Sequence, residues 1–120
     1  PTPRPTVPPA SGGVRIVYIY YDGQKGLGEP DEYCEIANEG DTSVNLIGWR
    51  LNADDPGQEF FFPAFELGAD ESCRVYTNEV HPEWGGFTFS RGAAVWNNEG
   101  DCGHLFDNRG QEVSTYCYEP

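Results

Sequence analysis

Residues 32–51 read EYCEIANEGDTSVNLIGWRL, and their side-chain parity is that of a sheet. In the first run Cys34 and Ile36 fall on one side and Tyr33 and Glu35 on the other, the alternation of a strand with one buried face. An Asn-Glu-Gly-Asp turn closes the run at Gly40, and the second run sets Val44 and Leu46 on one face. Trp49 and Leu51 then take the opposite parity, so one extra residue must be absorbed near Ile47 and Gly48. A β-bulge at Gly48 is expected to do this, because glycine accepts the required backbone and lets Trp49 rejoin the core. The two runs are expected to pair as a hairpin.

The same period recurs along the chain. Strands are expected at 14–21, 32–38, 44–52, 58–63, 71–77, 93–97, 102–107 and 112–118. Turn signals separate them at Asp22-Gly23, Glu39-Gly40, Pro56-Gly57, Leu67-Gly68, Gly85-Gly86, Glu99-Gly100 and Arg109-Gly110. Nowhere does a 3.6-residue apolar period persist. Short strands with frequent turns imply an all-β sandwich or barrel, here of about eight or nine strands in mostly antiparallel sheets. The 120 residues make one domain, long enough to bury a core. Its 7 Phe, 7 Tyr and 3 Trp suit the volume between two thin sheets.

Residues 1–13, PTPRPTVPPASGG, read as a Pro/Thr-rich linker, and residues 14–120 as the domain proper. Such spacers hold extracellular modules apart, so a covalently linked upstream domain is expected. Seven Lys and Arg against twenty Asp and Glu leave a net charge of −13, which repels phosphate backbones and argues against nucleic acid as a partner. No stretch approaches the roughly 20 apolar residues that cross a bilayer as a helix. The expected location is extracellular or at the cell surface.

Cysteine usage agrees with that location. Cys34, Cys73, Cys102 and Cys117 are even in number and contain no C-x-x-C pair, which favours disulfides over zinc or redox chemistry. Four cysteines allow three pairings, and spacing alone does not choose among them. By strand parity Cys34 points with Ile36 and Cys73 with Val75, so both face inward and are expected to meet inside the sandwich. A hairpin folded about Asp107-Asn108-Arg109-Gly110 brings Cys102 close to Cys117. The competing reading is free buried thiols.

Five blocks in order resemble the lamin tail domain family: EYCEIANEG at 32–40, VNLIGWRL at 44–51, FFFP at 60–63, LGADESCRVYT at 67–77 and WNNEGDCGHLFDNRGQEVSTYCY at 96–118. The Gly48-Trp49 pair and the Trp96-Asn97-Asn98-x-Gly100-Asp101 block are the most specific. The resemblance implies an immunoglobulin-like β-sandwich, found at the tail of nuclear lamins and as a module of prokaryotic surface or secreted proteins. The linker, acidity and cysteines point to the prokaryotic extracellular kind. The resemblance supplies no catalytic residues.

Enzymatic readings taken from the residues themselves are weak. There is no G-x-S-x-G elbow, and His81 and His104 lack an H-E-x-x-H setting. No enzyme activity and no firm cofactor are expected. The candidate calcium ligands are Asp22, Glu29 and Asp31, with Glu32, around one turn and Asp54 and Asp55 in another loop, since hard cations take several oxygens. Trp84, in the long 78–92 connection, is the candidate ligand contact, while Phe87 and Phe89 are expected to cap the core. Trp96 is expected to pack, and Asn97 and Asn98 to satisfy backbone groups in the bend before Asp101. The expected function is a non-catalytic interaction or tethering module of a larger protein, its partner a protein or a cell-surface glycan. The alternative is a carbohydrate- or calcium-dependent accessory module on a secreted hydrolase.

Overall fold

Alternation of apolar and polar side chains draws the chain into short strands. The structure, a computed structural model, describes residues 13–23, 29–53, 58–92, 95–97 and 99–119. Apart from Gly13, the expected linker lies outside these residues, as do Asp54, Asp55 and Asn98. The strands run β1 (Val14–Tyr20), β2 (Tyr33–Asn38), β3 (Val44–Asn45), β4 (Arg50–Asn52), β5 (Glu59–Phe61), β6 (Glu66–Leu67) and β7 (Ser72–Tyr76). After a 3-10 turn (Pro82–Trp84) come β8 (Phe87–Thr88), β9 (Asp101–Phe106) and β10 (Glu112–Tyr118). One sheet has the order β1-β2-β7-β8, the second β10-β9-β4-β5, and β3 with β6 forms a separate pair. All pairings are antiparallel except β7 with β8. The two larger sheets face each other as an immunoglobulin-like sandwich, with Ile16, Ile36 and Val75 of one packed in the same core as Leu51 and Leu105 of the other.

The 32–51 stretch departs from a simple hairpin. β2 pairs with β1 and β7, and β3 pairs with β6, so the two runs do not pair with each other. The reason lies in Asn38, which is fully buried. Its Nδ2 donates to the carbonyls of Thr42 (2.8 Å) and Leu67 (3.0 Å), and its Oδ1 accepts from the Gly40 amide (2.9 Å). These bonds stabilise a sharp exit from the first sheet and tie it to β6 rather than folding β3 back on β2. The expected bulge at Gly48 is a turn over 46–49, closed by Trp49 N–H donating to Leu46 O at 2.9 Å, with Gly48 at φ +79°. The parity change is present as read: Leu46 and Trp49 are 0% and 3% exposed while Ile47 between them is 52% exposed. The extra residue moves the chain from the β3–β6 pair into the second sheet.

Two further expectations change. Residues 95–97 are not a strand. The Val95 and Trp96 amides turn instead to the Glu32 carboxylate, at 2.8 Å and 3.2 Å. Trp96 is buried as expected, and Gly103 on β9 makes room for it, since a Cβ there would lie 3.2 Å from the indole and 3.1 Å from Ile19 Cδ1. Part of the 78–92 connection enters the sheet as β8, so that buried Phe87 packs against Phe60, Phe62 and Phe65, and Phe89 is partly buried against the core.

The cysteines divide. Cys102 and Cys117 stand directly opposite in the β9–β10 register and form a disulfide with Cα atoms 4.1 Å apart. Cys34 and Cys73 are free buried thiols, so the expected Cys34–Cys73 bridge is not formed. They do not meet across the sandwich. They sit on neighbouring strands of one sheet, Cys34 opposite Val75 and Cys73 opposite Ile36. Such diagonal neighbours lie about 7–8 Å apart, beyond the usual reach of a disulfide. Burial pushes the Cys73 thiol up to about 12 and the Cys34 thiol well above its usual range, which keeps both protonated and inert.

Candidate functional site

The outer face of the first sheet carries its chemistry. A register shift between Ile16 and Tyr18 reverses the parity of β1, so that Val14, Ile16 and Ile19 point inward while Tyr18 and Tyr20 point out. Tyr20 then stands opposite Tyr33 of β2, and Tyr33 opposite Tyr76 of β7, which places three tyrosines on one rung across β1, β2 and β7. Ring centroids are 5.4 Å apart for Tyr20 and Tyr33, 5.2 Å for Tyr33 and Tyr76, and 6.1 Å for Tyr18 and Tyr33. The rings are tilted by 41° to 59° rather than coplanar. Such pairs each contribute about 0.5–1.5 kcal/mol beyond burial. Tyr18 is 45% exposed, and Tyr20 and Tyr33 are half-buried.

Arg74 continues the row. Its guanidinium lies 4.0 Å from the Tyr33 ring centre and 3.7 Å from that of Trp84, which joins the 3-10 turn to the sheet. Nε donates to Glu35 Oε1 and Nη1 to the Tyr76 hydroxyl, both at 3.0 Å. Burial works against this cation, yet Tyr76 and Glu35 more than compensate and raise its pKa. His81 stacks on Tyr76 at 4.1 Å between Glu79 (2.7 Å) and Glu83 (3.1 Å), whose carboxylates raise its pKa. Trp84, the expected ligand contact, is half-buried with one face taken by Arg74.

A second feature sits at the sandwich end. Glu32 is fully buried. Its Oε1 accepts from Thr77 Oγ1 (2.9 Å) and from the Val95 and Trp96 amides, while Oε2 has no hydrogen-bond partner. Burial pushes its pKa up to about 7 against the three donors, with Glu29 adding to the rise. Asn97 helps close the bend beyond: its Oδ1 accepts from Glu99 N–H, and its carbonyl accepts from the Tyr118 hydroxyl at 2.7 Å.

The expected calcium ligands are only partly assembled. Glu29 and Asp31 meet at the Gly23 turn, where Glu29 Oε1 accepts from the Gly23 amide at 2.9 Å, and Asp22 is exposed nearby. Among the described residues no group of three or more His, Cys, Asp or Glu is placed to hold a metal ion. The histidines lie apart, His81 beyond β7 and His104 on β9 in the other sheet. His104 meets Glu112 at 2.8 Å, but the Thr115 hydroxyl donates to Glu112 rather than to the imidazole, so no nucleophile is paired with a base there. An open cleft of about 680 Å³ at Asp101, Cys102, Cys117 and Tyr118 borders the disulfide. Asp101 there accepts from the Asn97 and Cys102 amides. No helix among the described residues is long and apolar enough to cross a membrane.

The tyrosine face escaped sequence reading because strict alternation along β1 puts Tyr18 and Tyr20 on the same side as Val14 and Ile16. Only the register shift separates them. The available signal was Tyr33, whose parity opposes that of Cys34 and Ile36.

The two facing sheets define an immunoglobulin-like module. The lamin tail domain family model matches residues 7–120, and the chain belongs to that family. A comparison with curated proteins finds no match.

Proposed function

We propose that the domain is a non-catalytic interaction module that tethers or positions a neighbouring domain outside the cell or at its surface. The observation that carries the interaction role is the outer tyrosine face, where Tyr18, Tyr20, Tyr33 and Trp84 present π surfaces and hydroxyls with no nucleophile–base pair among them. The Cys102–Cys117 bridge supports that compartment: Cys117 is exposed, and an exposed disulfide persists where thiols are not kept reduced. The Pro/Thr-rich residues 1–13 would link it to the neighbour it positions. The accessory-module reading draws less support, because Arg74 covers one face of Trp84 and the carboxylates Asp22, Glu29 and Asp31 do not assemble a cation site.

Two measurements test this. Protein recovered from its native compartment without reductant should show two thiols after denaturation and four after reduction, as one bridge and two free cysteines require. Four thiols before reduction would overturn the extracellular assignment. Joined to a secreted reporter enzyme, the chain should retain it at the cell surface without altering its turnover. Release into the medium equal to that of the reporter alone would overturn tethering.

A further inference from the structure

Resting on that reading as an interaction module, we propose that the cleft between the 3-10 turn and the turn joining β6 to β7 receives a lysine side chain of a protein partner. An open cleft of about 260 Å³ lies there, with Phe65, Leu67 and Trp84 as apolar walls and Glu71 and Glu83 as its charged groups. Among the described residues no lysine, arginine or histidine lines it. A volume below the roughly 300–1,000 Å³ of small-molecule sites suits one anchoring side chain. The walls are fixed. The Trp84 and Gly85 amides donate to His81 O and Pro82 O at 2.8 and 3.1 Å, and Phe65 meets buried Phe87 edge-on with ring centres 5.0 Å apart. Arg74 stacks on the indole at 3.7 Å but does not line the cleft, which takes the part of the ring that the guanidinium leaves.

The carboxylates choose the cation. Glu71 and Glu83 are both exposed, and the Glu83 backbone amide, followed by His81, holds the Glu83 carboxyl below its usual range, so it stays ionised. The cations beside the cleft are already engaged, His81 with Glu79 and Glu83 and Arg74 with Glu35 at 3.0 Å, which leaves the cleft negative. A guanidinium is bound best by both oxygens of one carboxylate. Here Glu71 Oε1 accepts from the Gly68 amide at 2.8 Å, and Glu83 Oε2 bonds His81 Nδ1 at 3.1 Å. Neither carboxylate is free to present both oxygens to a planar fork. A compact ammonium needs only one oxygen from each, while its methylene stem packs between the apolar walls. The net charge of −13 steers a basic partner toward the domain, and the cleft gives that partner one anchored position.

Titration of the full chain with hexalysine, followed by amide and indole N–H shifts in its nuclear magnetic resonance spectrum, tests the proposal. The shifts should concentrate at Glu71, Ser72, Glu83, Trp84 and Gly85, and hexaarginine should bind several-fold more weakly. Glu71→Gln with Glu83→Gln should weaken hexalysine binding by about fivefold or more, the scale of two lost exposed charge pairs. Glutamine keeps the oxygen that accepts from Gly68, so the turn is preserved. Glu99→Gln with Glu119→Gln removes the same charge at the disulfide cleft and should change binding by less than about twofold. Equal weakening by the two pairs, or shifts spread over the whole surface, would overturn the cleft in favour of general attraction to an acidic protein. Hexaarginine binding as tightly at the same residues would overturn the choice of an ammonium. Surface retention of the reporter separates this proposal from the reading it rests on. Retention of the wild-type fusion with no hexalysine shifts at the cleft rejects only the lysine site, and cleft binding without retention rejects only tethering.

Discussion

Glu32 concentrates the molecule's electrostatic cost in one side chain. It connects the end of β2 to Thr77 and to the Val95–Trp96 backbone through one oxygen and leaves the other without a partner. Folded, it holds its proton up to about pH 7, against an ordinary value of 4.5. Between those values the folded state binds more protons than the unfolded state, so stability falls as pH rises through the window and levels off above it. Integrated over the shift, this amounts to about 3 kcal/mol. Glu32→Gln should flatten the decline in urea-denaturation stability between roughly pH 5 and 7.5. Equal slopes for the two proteins would show that Glu32 is not the titrating group. In the sequence this residue stood among four acids around one turn, and nothing local distinguishes it from its solvated neighbours. Its burial comes from segments tens of residues away in the chain.

At the scale of elements, the turn over 46–49 and the β9–β10 hairpin do different work. The turn transfers the chain between sheets, and it rests on Gly48 at φ +79°, with Asn108 Cβ 3.3 Å from where a side chain would begin. Gly48→Ala should therefore cost about 1–2 kcal/mol, read as a lowered urea midpoint at unchanged m-value. The hairpin was legible almost in full: Asp107-Asn108-Arg109-Gly110 forms its turn, and Cys102 meets Cys117. Asp107 fixes that turn. Burial would raise its carboxyl, but the Gln111 and Arg109 amides and the Arg109 guanidinium hold it below its usual value. Closing a loop of 15 residues, the disulfide should contribute about 3 kcal/mol, so reduction should lower thermal stability accordingly. An unchanged melting temperature in reductant would show the bridge to be idle. The expected bridge between Cys34 and Cys73 failed for a reason strand parity does not contain: parity gives the face a cysteine points to, and says nothing of which strands become neighbours.

Over the whole molecule, a net charge of −13 on 120 residues acts against compaction. Local pairs such as Arg50–Glu59 at 2.7 Å and Arg74–Glu35 at 3.0 Å offset only part of it. Salt should raise the melting temperature by a few degrees, since the Debye length falls to about 10 Å at 0.1 M. A fall in melting temperature with salt would mean that the pairs outweigh the repulsion. The fold class, the Asp107–Gly110 turn, the burial of Trp49 and Trp96 and the parity change at Gly48 were determined by the sequence alone, because each depends on side-chain alternation and backbone freedom within a few residues. Strand partnership was decided only in three dimensions. β2 chose β1 and β7 over β3 because Asn38 found carbonyls in Thr42 and Leu67, and the tyrosines formed a row because one register shift in β1 turned them outward opposite Tyr33. Both outcomes depend on contacts between segments remote in the chain, which local alternation does not encode.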